Sequence, residues 1–235
     1  DDGDDVLYFS ELQVNPAGVL DDEKNNEWFE LINATDNTLY LDNWVFKMTD
    51  VTCNPFVPSS CDRFTVFPGS NVQVDPGEAV LFCRIQGAVN SAMFSSGSAE
   101  VCDYNYGTRP SGAPSGEEGD PYFDEGYRLY NSGLSALQVT IGGFEVDYVN
   151  HRATGWPSST NGFESGSYVE NAGRSLMLDG DLIGGSGVTE DNDVGGNWCR
   201  TRASAYMFDE DAAGEDEHNY GTPGVVNPSC TVAEP

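Results

Sequence analysis

Short apolar runs recur along the chain with Gly, Pro, Asn and Asp between them, and none keeps helical spacing for the roughly ten positions a helix needs. The pattern predicts an all-β protein. The first run, Val6 to Val14, alternates in its second half and stops at Asn15-Pro16. Trp28 to Ile32, Thr38 to Leu41 and Trp44 to Lys47 follow, then Phe64 to Phe67, Val72 to Val74 and Ala79 to Cys83. Between the last two, Asp75-Pro76-Gly77-Glu78 reads as a tight turn, because Pro presets the backbone and Gly accepts a positive φ.

Ser, Gly, Pro and acidic residues dominate from 86 to 126, which reads as an insertion loop. Strands resume with Tyr127 to Tyr130, Leu137 to Ile141, Glu145 to Val149 and Ser175 to Leu178, about ten in all. Beyond them the chain reads as irregular apart from Asn197-Trp198-Cys199. No repeat and no dividing linker is visible. The expected organisation is therefore an acidic extension at 1–5, a single domain at 6–230 with loops at about 48–63 and 86–126, and a tail at 231–235.

With the strands placed, a set of short motifs stands out. The marks run in order: Phe9-Ser10-Glu11-Leu12 with Asn15-Pro16, Glu27 to Asn33, Leu41-Asp42-Asn43-Trp44 and Val74 to Glu78. Leu129 to Gly133, Ala172 to Leu176, Asn197-Trp198-Cys199 and Gly221-Thr222-Pro223-Gly224 complete the set. With these marks in this order the sequence resembles the lamin tail domain family, in its secreted bacterial form, and the resemblance implies an immunoglobulin-like β-sandwich. The loops around Cys53 and after Cys83 depart from the family pattern, and the nuclear filament role of the lamins is not carried over. On this fold Trp28 and Trp44 are expected in the core, Glu27 and Glu30 at a strand rim, and Arg174 paired with a buried carboxylate.

Charge narrows the partners. Thirty-nine Asp and Glu against 10 Lys and Arg leave a formal charge of −29, which excludes a nucleic-acid binder and disfavours docking on anionic lipid. No apolar run reaches the roughly 20 residues that cross a bilayer, so direct membrane insertion is not expected. Six cysteines without paired zinc-ligand spacing read as disulfides. Of the many possible pairings, the nearest-neighbour scheme joins Cys53 to Cys61, Cys83 to Cys102 and Cys199 to Cys230. Such bonds persist outside a reducing cytosol, and a start at Asp1 rather than Met fits a removed leader, so an extracellular or cell-surface location is expected.

Catalytic motifs are weak. His151 and His218 read as surface residues, no Gly-x-Ser-x-Gly elbow is present, and Gly184-Gly185-Ser186-Gly187 lacks phosphate-loop spacing. The sequence is therefore read as a non-enzyme. Three functional readings follow: a non-catalytic structural or adhesion module with protein partners, a self-associating filament subunit using its N-terminal strand, and an accessory domain of a secreted hydrolase.

Calcium is the candidate ligand, since closely spaced carboxylates and amide oxygens match what that ion takes. The main cluster is Asp179 and Asp181 with Glu190, Asp191 and Asp193; Asp209 to Asp211 and Asp21 to Glu23 are secondary. A calcium site here predicts that millimolar calcium raises the melting temperature, whereas a melt unchanged between calcium and chelator rejects it.

Overall fold

A computed structural model describes residues 6–14, 27–50, 62–84, 102–113, 122, 129, 135–157, 163–164, 167–168, 173–185, 187–201, 207–210 and 218–231. In chain order the strands are β1 (Leu7–Gln13), β2 (Trp28–Asn33), β3 (Leu39–Tyr40), β4 (Val45–Asp50), β5 (Asp62–Thr65), β6 (Gln73–Val74), β7 (Ala79–Cys83) and β8 (Tyr104–Asn105). They continue with β9 (Ser135–Ile141), β10 (Phe144–Val149), β11 (Phe163–Glu164), β12 (Ser167–Tyr168), β13 (Leu176–Leu178), β14 (Trp198–Arg200), β15 (Met207–Glu210) and β16 (His218–Tyr220). Among the described residues the α-helix is a single turn, α1 (Val188–Asp191).

Two sheets dominate. One has the order β14-β13-β1-β2-β7-β8 and the other β10-β9-β4-β5. They meet through aromatic rings from alternate positions of their strands. Phe46 of β4 lies 4.5 Å from Phe82 of β7 and 5.4 Å from Phe29 of β2, and Phe64 of β5 stacks on Phe46 at 5.0 Å. Period-two alternation sends Phe29 and Leu31 into this layer. Trp28 and Glu30 therefore point to the opposite face.

β1 departs from simple alternation. Its pairing with β2 shifts between Phe9 and Glu11, so Ser10 is an extra residue and Phe9 and Leu12 both reach the core cluster. The bulge leaves the start of β1 without β13 as a neighbour, since β13 pairs only at Glu11 and Leu12. Side chains complete the ladder there: the Phe9 N–H donates to Asp147 Oδ2 at 2.7 Å, and Asn192 Nδ2 donates to the Phe9 carbonyl at 3.2 Å. β1 thus sits inside its own sheet, and every one of its residues is buried.

The expected tight turn is present, with Gly77 at φ +72° and the Glu78 N–H donating to the Asp75 carbonyl at 3.0 Å. The β9 to β10 hairpin turns on Gly142 and Gly143 at φ +57° and +86°, the pair of positive values that matches strand twist. Trp28 and Trp44 are buried, as expected.

Several expectations need correction. The loop at about 48–63 is narrower, because β4 runs to Asp50 and β5 begins at Asp62. The insertion at 86–126 is not all loop, since Cys102 delivers β8 as a parallel neighbour of β7. The Tyr104 hydroxyl donates to the Tyr122 carbonyl at 2.7 Å and accepts from the Phe67 N–H at 3.3 Å, tying the insertion across the core. Of Tyr127 to Tyr130 only Leu129 is described, buried and outside any strand. The C-terminal region is less irregular than expected, because β15 pairs with β16.

The disulfides Cys83–Cys102 and Cys199–Cys230 form as the nearest-neighbour scheme has them. Cys53 and Cys61 lie outside the described residues. Phe29 touches five other rings, so Phe29→Ala is expected to cost about 3–5 kcal/mol in urea unfolding. Phe144→Ala, at a position 78% exposed, should stay within about 0.5 kcal/mol of the parent.

Candidate functional site

The face of the six-stranded sheet that turns away from the aromatic layer carries Glu11 of β1 and Glu30 of β2, and both are fully buried. They are cross-strand partners in the register of the two strands. What covers them is the C-terminal strap, residues 221–231. Gly221 rests on Trp28 so closely that a Cβ there would lie 2.7 Å from the indole. Any side chain at 221 would push the strap off the sheet.

The strap is held by hydrogen bonds from its backbone to carboxyl oxygens. The Thr222 N–H donates to Glu11 Oε1 at 2.9 Å and to Oε2 at 3.1 Å, and the Gly224 N–H donates to Glu30 Oε2 at 2.6 Å. Ser10 Oγ donates to Glu30 Oε1 at 2.6 Å, and Ser175 Oγ donates to Glu11 Oε1. Asn227 reaches beneath the strap, where its Nδ2 donates to the carbonyls of Ser10 and Leu178 at 2.8 and 3.1 Å. A carboxyl group suits this place because it can accept at two oxygens with two lone pairs each, enough for the backbone and hydroxyl donors that converge on it.

Burial dominates the electrostatics. It pushes Glu11 up to about 7 and Glu30 up to about 8, with the neighbouring Glu11 raising Glu30 further. Asp147 is likewise raised to about 7 by burial, although the Phe9 N–H and the Asn192 amide work against the shift. The strip is thus a set of acids in which desolvation outweighs donated hydrogen bonds.

Of the five carboxylates singled out for calcium, those of Asp179 and Asp181 accept hydrogen bonds at the end of the strap. Asp179 Oδ1 accepts from the N–H groups of Asp181 and Cys230, both at 3.1 Å, and Asp181 Oδ2 accepts from Ser229 Oγ at 2.7 Å. These two residues grip the end of the strap. Gly180 between them approaches it so closely that a Cβ would lie 1.9 Å from the Asn227 carbonyl oxygen. Glu190 is exposed on α1, and the Asp191 carbonyl accepts from Asn197 Nδ2 at 2.9 Å. Asp193 stands near Glu145, whose charge adds to partial desolvation in raising it to about 6. Among the described residues no three His, Cys, Asp or Glu side chains come together to hold a metal ion. Side chains of Asp209 and Glu210 and all of 21–23 lie outside the described residues.

Other expected positions also move. Glu30 is not at a rim, and Glu27 is buried with its Oε2 accepting from the Leu129 N–H at 3.0 Å. His151 is 1% exposed rather than a surface residue, and the His218 side chain is not among those described. Arg174 has no carboxylate partner among the described residues; its carbonyl accepts from Arg200 Nη1 at 2.5 Å. Burial and then the charges of Arg174 and Arg152 lower Arg200 to about 10. Asn33, in the Asn33-Ala34-Thr35 sequon, is fully buried with its amide donating to the carbonyls of Asn37 and Val74 at 2.7 and 2.9 Å.

The buried pair itself escaped the sequence reading. Its signal was an acid inside each of two apolar runs, Phe9 to Leu12 and Trp28 to Ile32, which a two-sided burial explains and a rim position does not.

No family model matches the chain, and no curated protein is similar to it. A solved structure that resembles it is a DUF4876 family protein from Bacteroides thetaiotaomicron, at 11% identity and a TM-score of 0.42, covering 85% of this chain and 69% of that one. A likeness at that level says nothing about activity.

The raised carboxyls dictate a pH dependence. In the folded chain Glu11, Glu30 and Asp147 keep protons that the unfolded chain releases above about pH 4 to 5. Their stabilising effect is present in full below that range and is lost as pH rises through about 7 to 8. The unfolding free energy from urea titrations, and with it the urea midpoint, should therefore fall from about pH 5.5 to about pH 8.5, the free energy by roughly 1.4 kcal/mol per pH unit for each carboxyl still protonated. A midpoint flat or rising over that interval would contradict the burial argument.

Proposed function

We propose that the chain is a non-catalytic extracellular module, an immunoglobulin-like β-sandwich of the lamin-tail kind, that works by contact with protein partners at a cell surface. The observation that carries this reading is the use made of its buried carboxyls and hydroxyls. Glu11, Glu30, Ser10, Ser175 and Thr222 form the kind of cluster from which acid–base chemistry is built, yet their hydrogen bonds run to the strap and to one another. They close the fold instead of facing a cleft.

Disulfides at Cys83–Cys102 and Cys199–Cys230 support an oxidising location. Each clamps a segment that propensity alone holds weakly: the insertion that brings β8, and the strap. Cross-links of this sort suit a module that must keep its shape outside the cell. The acidic surface keeps copies apart at low ionic strength, which favours contact with other molecules over self-association.

Light scattering and electron microscopy of the natively purified protein, at fixed ionic strength with calcium and then with chelator, should show a monomer in both. Ordered filaments would overturn the reading in favour of a homopolymer subunit. Protease treatment of intact producing cells should release peptides of this chain; recovery from the cell interior alone would overturn the location.

A further inference from the structure

The Thr222 hydroxyl lies 2.6 Å from Glu11 Oε2 and 2.6 Å from Asn227 Oδ1. It has one hydrogen to give. The amide of Asn227 cannot turn to supply another, because its Nδ2 is committed to the carbonyls of Ser10 and Leu178. Both short contacts are hydrogen bonds only when Thr222 donates to Asn227 and Glu11 Oε2 carries a proton that it donates to Thr222. The same count applies to no other contact of the strap.

We propose that the Glu11–Glu30 pair holds a proton that acts as the catch of a latch: residues 221–227 lie closed on the sheet while the pair keeps it, and lift when both carboxyls ionise. Glu11 and Asp103, both negative, each add to the load on Glu30. β13 and β14 contribute the hydroxyls of Ser175 and Thr201 through the residues at their ends. The strap segment 221–227 has no titratable side chain. Among the described residues no lysine or arginine bonds to either carboxyl to compensate a second charge on adjacent strands in this buried site.

Ionisation sets two like charges side by side and leaves the Thr222 hydroxyl with one acceptor too many. The weakest yielding element is the strap, whose grip on the pair is three backbone contacts and one hydroxyl. The Cys199–Cys230 disulfide tethers its far end to β14, so the strap opens as a closed loop and does not leave. Lifting it uncovers Trp28 and the outer face of β1 and β2. The direction in which burial moves both carboxyls agrees with this arrangement, with the latch closed in mildly acidic surroundings.

Amide hydrogen exchange of the intact chain tests the latch. After correction for intrinsic rates, protection of the Thr222 and Gly224 amides should drop at least tenfold between about pH 6 and about pH 9, while amides of β2 and β7 keep theirs. In Glu11→Gln the amide nitrogen takes the place of the protonated oxygen and donates to Thr222, so protection there should hold at both pH values. Unchanged protection in the parent, or an equal drop in Glu11→Gln, would overturn the proposal. Independently of any variant, carbon-13 NMR of the parent's glutamate carboxyls should show at least one titrating above about pH 6; all of them titrating near about 4.5 would overturn it as well.

Discussion

The six-stranded sheet is buried on both faces, and the constraint that follows from this governs the rest of the molecule. One face meets the aromatic layer of the second sheet, which needs only apolar residues at alternate positions. The other face carries Glu11, Gln13 and Glu30 and is covered by a segment whose backbone N–H groups must find acceptors. A buried N–H without a partner costs more than the hydrogen bond it forgoes in water. The carboxyl pair supplies those acceptors, and its own desolvation is offset by the number of donors aimed at it and by retention of protons. Covering this face with apolar residues would have removed the acceptors the strap depends on.

The same use of acids recurs at three places along the fold. Asp147 completes the ladder of β1 where the bulge removes a strand neighbour, Glu27 receives the N–H of Leu129, and Asp179 with Asp181 receives the end of the strap. Each is a carboxyl that accepts from backbone or hydroxyl groups. Part of the chain's acidic excess is thus internal scaffolding, and the remainder is solvated surface that keeps copies apart.

The insertion after β7 shows how an irregular sequence joins a regular fold. Its Ser, Gly and Pro content gives no strand signal, yet Cys102 is bonded to Cys83 at the end of β7, and the two residues of β8 fall into parallel register beside it. Tyr104 then anchors the segment to Phe67 and Tyr122. A covalent tether and one buried phenol achieve here what strand propensity does elsewhere.

Legibility followed the range of the interaction responsible. The strands β1, β2, β4, β7, β9 and β10, the turn at Gly77 and the pairing of Cys83 with Cys102 and Cys199 with Cys230 were readable, because alternation, turn chemistry and cysteine spacing are local properties of the chain. The acids were misplaced for the opposite reason. Glu30 was read at a rim, and the donors that reach Asp179 and Asp181 were not foreseen, since a carboxylate in sequence carries no mark of which donors will reach it. Those donors come from Thr222, Gly224, Ser229 and Cys230, up to 211 residues away along the chain. By itself the sequence determined an all-β chain with an aromatic core, an acidic character and disulfide bonds. Only the tertiary structure decided that the second face of the sheet is also covered, because burial depends on what packs from afar, and that burial turned two ordinary glutamates into the proton-holding support of the C-terminal strap.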